Sequence, residues 1–352
     1  MKILNTILAV AAIALLGSCA ESDSTPTTPT VKDIYFAGHQ INSEGNVVAA
    51  FWKNGTATTL SDGTKYTSAR AMTVVGSDVY VAGLEYNGTN SIVMYWKNGI
   101  ATALTDGTNN AYATAIAVVG TDVYVAGIEG NGYWVAKYWK NGIATALTDG
   151  TDSAFATAIT VVGRDVYVAG YEGVKRVATY WKNGIATALT DGSIESIANA
   201  ITVVGTDVYV AGSEYSGGKS VAKYWKNGTA ISLTDGTNNA YATALTVVGS
   251  DVYVAGYEND GAPKGPINGS PIANGNQVVK YWKNGKVKAL TNGTNDAYAY
   301  AISVVGTDVY VAGYESYGTN NVDKYWKNGV GVNIETDIFS HSMAQAMFIT
   351  TN

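Results

Sequence analysis

Six glutamates recur behind one short motif. Glu85, Glu129, Glu172, Glu214, Glu258 and Glu315 each follow Val-Ala-Gly-x, and the corresponding place in a seventh copy holds His39-Gln40. Aromatic residues recur in the same way. Tyr112, Phe155, Tyr241 and Tyr298 stand directly before Ala-x-Ala, where Ser68, Ile197 and Met343 stand in the other copies. The segments ahead of them add Asn109, Asn110, Asp152, Asn238, Asn239, Asn295 and Asp296. Rings that stack on C–H faces, with fixed acceptors and donors for hydroxyls, are the chemistry of sugar recognition. Paired carboxylates can also hydrolyse or eliminate at a glycosidic linkage, but they need an acid and a base with separated pKa values. The sequence singles out no such pair. The structural alternative is that each Glu accepts backbone N–H groups of a neighbouring loop and each ring fills space.

Departures from the repeat point to places of their own. Arg70, Asn199, Tyr300 and Gln345 occupy the x of Ala-x-Ala, where Thr114, Thr157 and Thr243 stand in the remaining copies. Residues 259–276 are an insertion found in one copy only. Other chemistries find little footing. The histidines are His39 and His341, and two imidazoles without a third ligand do not make a metal site. No Gly-x-Ser-x-Gly, His-Glu-x-x-His or phosphate loop occurs. The Asp-Gly-Thr-Asn loops lack the spacing of dedicated calcium loops. No catalytic residue, metal or cofactor is therefore assigned.

The elements that must hold these residues are read from self-comparison. Asp-Val-Tyr-Val-Ala-Gly or a close relative begins at Asp33, Asp78, Asp122, Asp165, Asp207, Asp251 and Asp308. Tyr/Phe-Trp-Lys-Asn-Gly places its Trp at Trp52, Trp96, Trp139, Trp181, Trp225, Trp282 and Trp326. Within residues 113–147 four β signals appear: a (113–119), b (123–126), c (135–139) and d (143–147). Asn141-Gly142 supplies the positive-φ pair of a tight hairpin between c and d. Four antiparallel strands per repeat make a propeller blade. Strand a carries small residues and strand c carries Tyr-Trp. Blades converge on an axis, so a belongs at the hub and d at the rim. The chain opens on b, c and d without a, and ends on a lone a-type strand (344–349) that should complete the first blade. The expectation is an all-β, seven-bladed β-propeller of four-stranded antiparallel blades, its ring closed by the C-terminal strand joining the N-terminal blade. The b–c and d–a loops then share one face, with the glutamates and aromatics. The a–b and c–d turns share the other, with Lys53, Lys97, Lys140, Lys182, Lys226, Lys283 and Lys327 beside the repeated Asp. Exposed Lys–Asp neighbours contribute only about 0–1 kcal/mol each, so a structural role is expected there.

The N-terminal end carries a targeting signal. Lys2 precedes an apolar stretch, Ile7 to Leu16, that is too short to span a bilayer. It ends in Leu16-Gly17-Ser18-Cys19, which resembles the lipobox of bacterial lipoproteins. Cys19 is the single cysteine and would be the lipidated residue. Residues 20–31 are rich in Ser, Thr and Pro and cannot order themselves, so they read as a tether. The expected division is a signal at 1–18, lipidated Cys and tether at 19–31, and the propeller at 32–352. Ala20 after the cysteine resembles an outer-membrane sorting signal, on the periplasmic side or at the cell surface. The formal charge is −6 with 14% charged residues, which argues against nucleic acid as a partner.

The repeats resemble propellers of the kelch and WD-repeat kind, and more closely the Trp-Lys-Asn-Gly repeat lipoproteins of bacteria. Ala-Gly stands where kelch repeats have Gly-Gly, and the Trp-Asp and Gly-His signatures are missing. The resemblance implies a fold and says little about activity. The reading that follows is a membrane-anchored binding or scaffold propeller, monomeric and without a cofactor, recognising a glycan or an envelope protein. The candidate ligand contacts are the six glutamates, Arg70, Tyr112, Phe155, Tyr241, Tyr298 and Tyr300. The alternatives are a carbohydrate-active hydrolase or lyase and a structural subunit of an envelope complex.

Overall fold

A computed structural model describes residues 30–352 except 263, 268–269, 273–274, 319 and 335–342. The signal, Cys19, most of the tether and His341 lie outside the described residues. Seven four-stranded antiparallel sheets follow one another around a ring, and each is a simple meander. In the third blade the strands are Asn110–Val119, Asp122–Gly130, Val135–Lys140 and Ile143–Ala146. Strands a and b run beyond their β-branched cores because Asn110 and Gly130 still pair across them. The first blade has the order Thr56–Thr59, Val47–Lys53, Val31–Ile41, Met343–Thr351, so the C-terminal strand supplies its a position. Strand b of that blade starts at Val31, within the segment read as tether. The expected seven-bladed ring and its closure are both present.

The size gradient across each blade follows from where the apolar surface is hidden. Seven clusters of buried side chains sit in the seven joints between blades, and each holds one of the repeated tryptophans. Trp181 of the fourth blade, for example, packs on Tyr124, Ala126 and Ala136 of the third. Strand d is exposed along its length in most blades, which places it at the rim. Side chains of strand a enter these joints from both sides: Ala115 and Ala117 of the third blade share one with Ala156 and Ile159 of the fourth.

Each strand a contains one irregularity. Its pairing with strand b slips at the x of Ala-x-Ala, that is at Arg70, Thr114, Thr157, Asn199, Thr243 and Tyr300, and at Gln345 in the closing strand. A bulge re-aims the extra residue's side chain. At three of these positions it reaches the neighbouring blade: Thr114 Oγ1 donates to Ala156 O at 2.9 Å, Thr157 Oγ1 to Ala198 O at 2.7 Å, and Asn199 Nδ2 to Ala242 O at 2.8 Å. The same bulge brings the carbonyl before Ala-x-Ala over strand b. A Cβ at Gly127 would run into Tyr112 O, and one at Gly256 into Tyr241 O. That close approach explains why Gly ends the Val-Ala-Gly motif in every repeat.

Candidate binding face

The Trp-Lys-Asn-Gly residues build a clasp on the a–b/c–d face. Each Asn has φ between 49° and 53°, the left-handed conformation that a two-residue hairpin demands. Its Oδ1 accepts the N–H of strand b at 2.8–2.9 Å, and its Nδ2 donates to the turn Asp at 2.7–2.8 Å. The Lys Nζ lies 2.7–3.0 Å from the other oxygen of that Asp. It also sits 5.1–5.4 Å from the centroid of the Tyr in Asp-Val-Tyr. Bonds from Lys and Asn hold each of these Asp carboxyls below the usual range. Every member has its partner inside one blade, as a structural role requires.

The opposite face is less uniform. Five of the six glutamates are ion-paired. Glu129, Glu214, Glu258 and Glu315 meet Lys137, Lys223, Lys280 and Lys324 of strand c at 2.7–2.8 Å, and Glu85 meets Lys65 of the preceding loop at 2.5 Å. Glu315 also accepts from Tyr317 and Asn295. Burial pushes the Glu315 carboxyl up, and these bonds outweigh it and hold the group below its usual range. Glu172 has Thr179 where the lysine would stand. Its carboxyl is pushed up, first by burial and then by the nearby Asp149. Glu258 also lines a cavity with Trp282 and residues 232–235, at the end of the preceding blade's rim strand. The lysines of strand c, which the sequence reading did not single out, were signalled by their occurrence in four of the six blades that carry Glu.

The aromatic residues are brought together. Tyr241, Tyr257, Tyr298 and Tyr314 form one run of ring contacts at 4.8–5.2 Å between centroids, and Tyr300 lies 6.3 Å from Tyr314. A second run joins Tyr112, Trp134, Phe155 and Tyr171 at 4.9–6.5 Å, with the Arg176 guanidinium 5.9 Å from the Tyr171 ring. Burial pushes the hydroxyls of Tyr171, Tyr257, Tyr298, Tyr300 and Tyr314 up, so all stay protonated donors at neutral pH. Trp134 is the one tryptophan outside the repeat motif. Between the runs a cavity of about 460 Å³ opens at the hub, lined by the bulged Thr114, Thr157, Asn199, Thr243 and Tyr300 with Tyr241 and Tyr257.

Arg70 occupies the same bulge in the second blade, but it is exposed and does not line that cavity. It lies near His39, whose imidazole is held low by burial and by the Arg70 charge and meets Ser68 Oγ at 3.2 Å. The insertion forms a short hairpin, Lys264–Ile267 with Ser270–Ile272. Its base is fastened by Asn259 Nδ2 donating to Gly275 O at 2.6 Å and Asp260 N donating to Asn276 O at 2.9 Å. Among the described residues no cluster of three or more His, Cys, Asp or Glu could hold a metal.

No family model matches this chain, and no curated protein matches it. Among solved structures it is similar to the hydrazine synthase of Kuenenia stuttgartiensis, at 10% identity over 92% of this chain and 47% of that one, with a TM-score of 0.48. It is also similar to a prolyl endopeptidase (12% identity, 93% and 50% covered, TM-score 0.49) and to the tricorn protease (9% identity, 84% and 44% covered, TM-score 0.43). The chain spans about half the length of these structures.

Proposed function

We propose that this chain is a membrane-anchored binding propeller that recognises an extracellular glycan through its b–c/d–a face. The observation that carries this reading is the unbroken run Tyr241, Tyr257, Tyr298 and Tyr314 beside the hub cavity. Tyrosine rings offer flat apolar surface for sugar C–H faces, and their protonated hydroxyls donate to sugar oxygens. The bulged Thr and Asn side chains supply further polar groups around the same cavity. The pairing of five face glutamates with lysines favours binding over acid–base catalysis, because a carboxylate held by an ammonium is a poor general acid.

The anchor in this reading is Cys19, and the proposed location is the outer membrane. Labelling with an alkyne fatty acid, lost in Cys19→Ser, supports lipidation; equal labelling of the variant argues against it. Binding is tested on a glycan array with folded full-length protein, together with a pull-down from envelope extract. Signal that falls in Tyr257→Ala and Tyr298→Ala supports the reading. A blank array leaves it without support, and a specific envelope protein recovered instead replaces the glycan with a protein partner.

A further inference from the structure

Strand a and strand b present one facing pair of side chains to the binding face in each blade. From the third blade to the seventh these pairs are Tyr112 with Ile128, Phe155 with Tyr171, Ile197 with Ser213, Tyr241 with Tyr257, and Tyr298 with Tyr314. Among these five blades the aromatic path is broken at the fifth, where neither Ile197 nor Ser213 carries a ring; the second blade, with Ser68 facing Leu84, lies outside the path. The gap is not filled by neighbours. It is a cavity of about 290 Å³, with Ile197 and Ser213 at its base, Tyr241 on one side, and Tyr215, Ser220 and the Arg176–Glu195 pair around it. It shares Ile197 and Tyr241 with the hub cavity, so the two lie side by side.

The chemistry of this notch is specific. Ser196 is the one lining hydroxyl that is spent on the protein, meeting Thr190 Oγ1 at 2.6 Å and accepting the Ala178 N–H at 2.9 Å. Ser213, Ser220, Tyr215 and Tyr241 also line it, and their hydroxyls have no hydrogen-bond partner among the described residues. The charges at the lip cancel, because Arg176 Nη1 lies 2.7 Å from Glu195 Oε1. Arg176 is itself held at φ 51°, away from ordinary backbone, and stacks near Tyr171. The volume is at the lower edge of the range of about 300–1,000 Å³ used for drug-sized ligands, which suits one small ring.

We propose that the notch of the fifth blade is a subsite for a single uncharged pyranose, resting on the glycan-binding reading above. The sugar packs one face on Tyr241 and turns its hydroxyls to Ser213, Ser220 and Tyr215. The rest of the glycan runs into the hub cavity. The absence of an unpaired cation in the lining selects neutral sugars over uronic acids. The protein then binds one glycan per propeller, although it is built from seven repeats.

The test uses full-length protein and an array of neutral and uronic-acid oligosaccharides, followed by calorimetric titration of the neutral oligosaccharide with the highest signal. The expected result is one site per chain and a loss of affinity of about tenfold or more in Ser213→Tyr, which restores the ring found in other blades. Its thermal midpoint should match the wild type, since Tyr171, Tyr257 and Tyr314 already occupy that position elsewhere. Should Ser213→Tyr misfold, the double variant Tyr215→Phe and Ser220→Ala removes hydroxyls without adding bulk and should also weaken binding. Several equivalent sites overturn the proposal, as does unchanged affinity in these variants while Tyr298→Ala loses it; the general glycan reading then stands. Preference for uronic acids overturns the neutral assignment. No glycan bound at all defeats the underlying reading and the subsite with it.

Discussion

The Tyr300 hydroxyl donates to Asp323 Oδ1 at 3.2 Å, and both residues are exceptions to the repeat. Asp323 stands in strand c where Ala136, Ala178 and Ala222 stand in other blades. It is buried, and its second oxygen accepts the N–H of Ala344 at 2.6 Å. Ala344 belongs to the strand that closes the ring. The last blade thus carries a polar fastening to the closing strand, which itself completes the first blade by pairing with Val31–His39. The Tyr300 hydroxyl is pushed well above its ordinary value, by burial first and by the Asp323 carboxylate next, so it remains a donor.

Asp323→Ala leaves at least two donors, the Tyr300 hydroxyl and the Ala344 N–H, without their acceptor in a buried place. Each orphaned buried group costs about 1–3 kcal/mol, so the variant should lose about 3 kcal/mol and melt about 5 °C or more below the wild type. Tyr300→Phe removes one bond and should lose about 1–2 kcal/mol. The double variant should lose less than the sum of the two, because the bond they share can be broken once. Thermal unfolding followed by circular dichroism reads all three, and additive losses would show that the residues do not act together.

The closing strand makes a wider claim. Residues 344 and 346 and Phe348 pack into the joints on both sides of the first blade. Deletion of residues 342–352 exposes the edge of strand b from Val31 to His39 and opens those joints. The whole ring should lose its cooperative transition or melt far below the intact protein. A truncated chain with an unchanged melting curve would show that the ring is not held by its tail.

Much of this was legible in the sequence, and the parts that were not have a physical reason. Trp52 and its six equivalents revealed the joints because a large ring repeated at one register must fill a repeated space. Asn-Gly revealed the hairpins because few residue pairs tolerate φ above zero twice. The bulge was invisible: Ala-Thr-Ala alternates small and β-branched residues identically whether the strand is regular or slipped. Its trace was the Gly of Val-Ala-Gly, which has no role in a regular ladder. Likewise Glu129 and its equivalents read as acceptors for a ligand or for backbone N–H groups, and not as partners of lysine, since strand pairing, not sequence distance, brings Lys137 beside Glu129. The closing fastening had a signal in Asp323, a charged residue at a position otherwise held by Ala or Val, and Trp134 had one in standing outside the motif.

The clasp on the a–b/c–d face separates charge from backbone. Lys97 is solvent-exposed and Asp78 half-exposed, so Lys97→Ala should leave the thermal midpoint within error of the wild type. Asn98 holds φ at 51° and bonds both strand b and Asp78. Asn98→Ala meets the left-handed penalty of about 1–2 kcal/mol in addition to the lost bonds, and should be clearly destabilised. Asn98→Gly should recover part of that loss, since it keeps the backbone conformation and gives up only the side-chain bonds. Equal losses in Lys97→Ala and Asn98→Ala would mean that the ion pair, and not the turn, holds the two strands.

Glu172 and Glu315 occupy equivalent places and should respond to pH in opposite senses. The folded Glu172 carboxyl is raised above its unfolded value, by burial and by Asp149. The folded state therefore binds the proton more tightly than the unfolded one, and stability falls as pH rises from the unfolded pKa through the folded one. Glu172→Gln should accordingly raise the thermal midpoint at pH 7 and change it little in acid below the carboxylate range. The folded Glu315 carboxyl is lowered by Lys324, Tyr317 and Asn295 against the pull of burial. Its contribution is present above the unfolded pKa and is lost as pH falls through the folded one, so Glu315→Gln should lower the midpoint at pH 7 and converge with wild type in acid. Melting curves from pH 3 to pH 8 on the two variants read the contrast directly. Parallel shifts in both would show that a shared loop position, and not the presence or absence of a lysine on strand c, sets how these carboxylates behave.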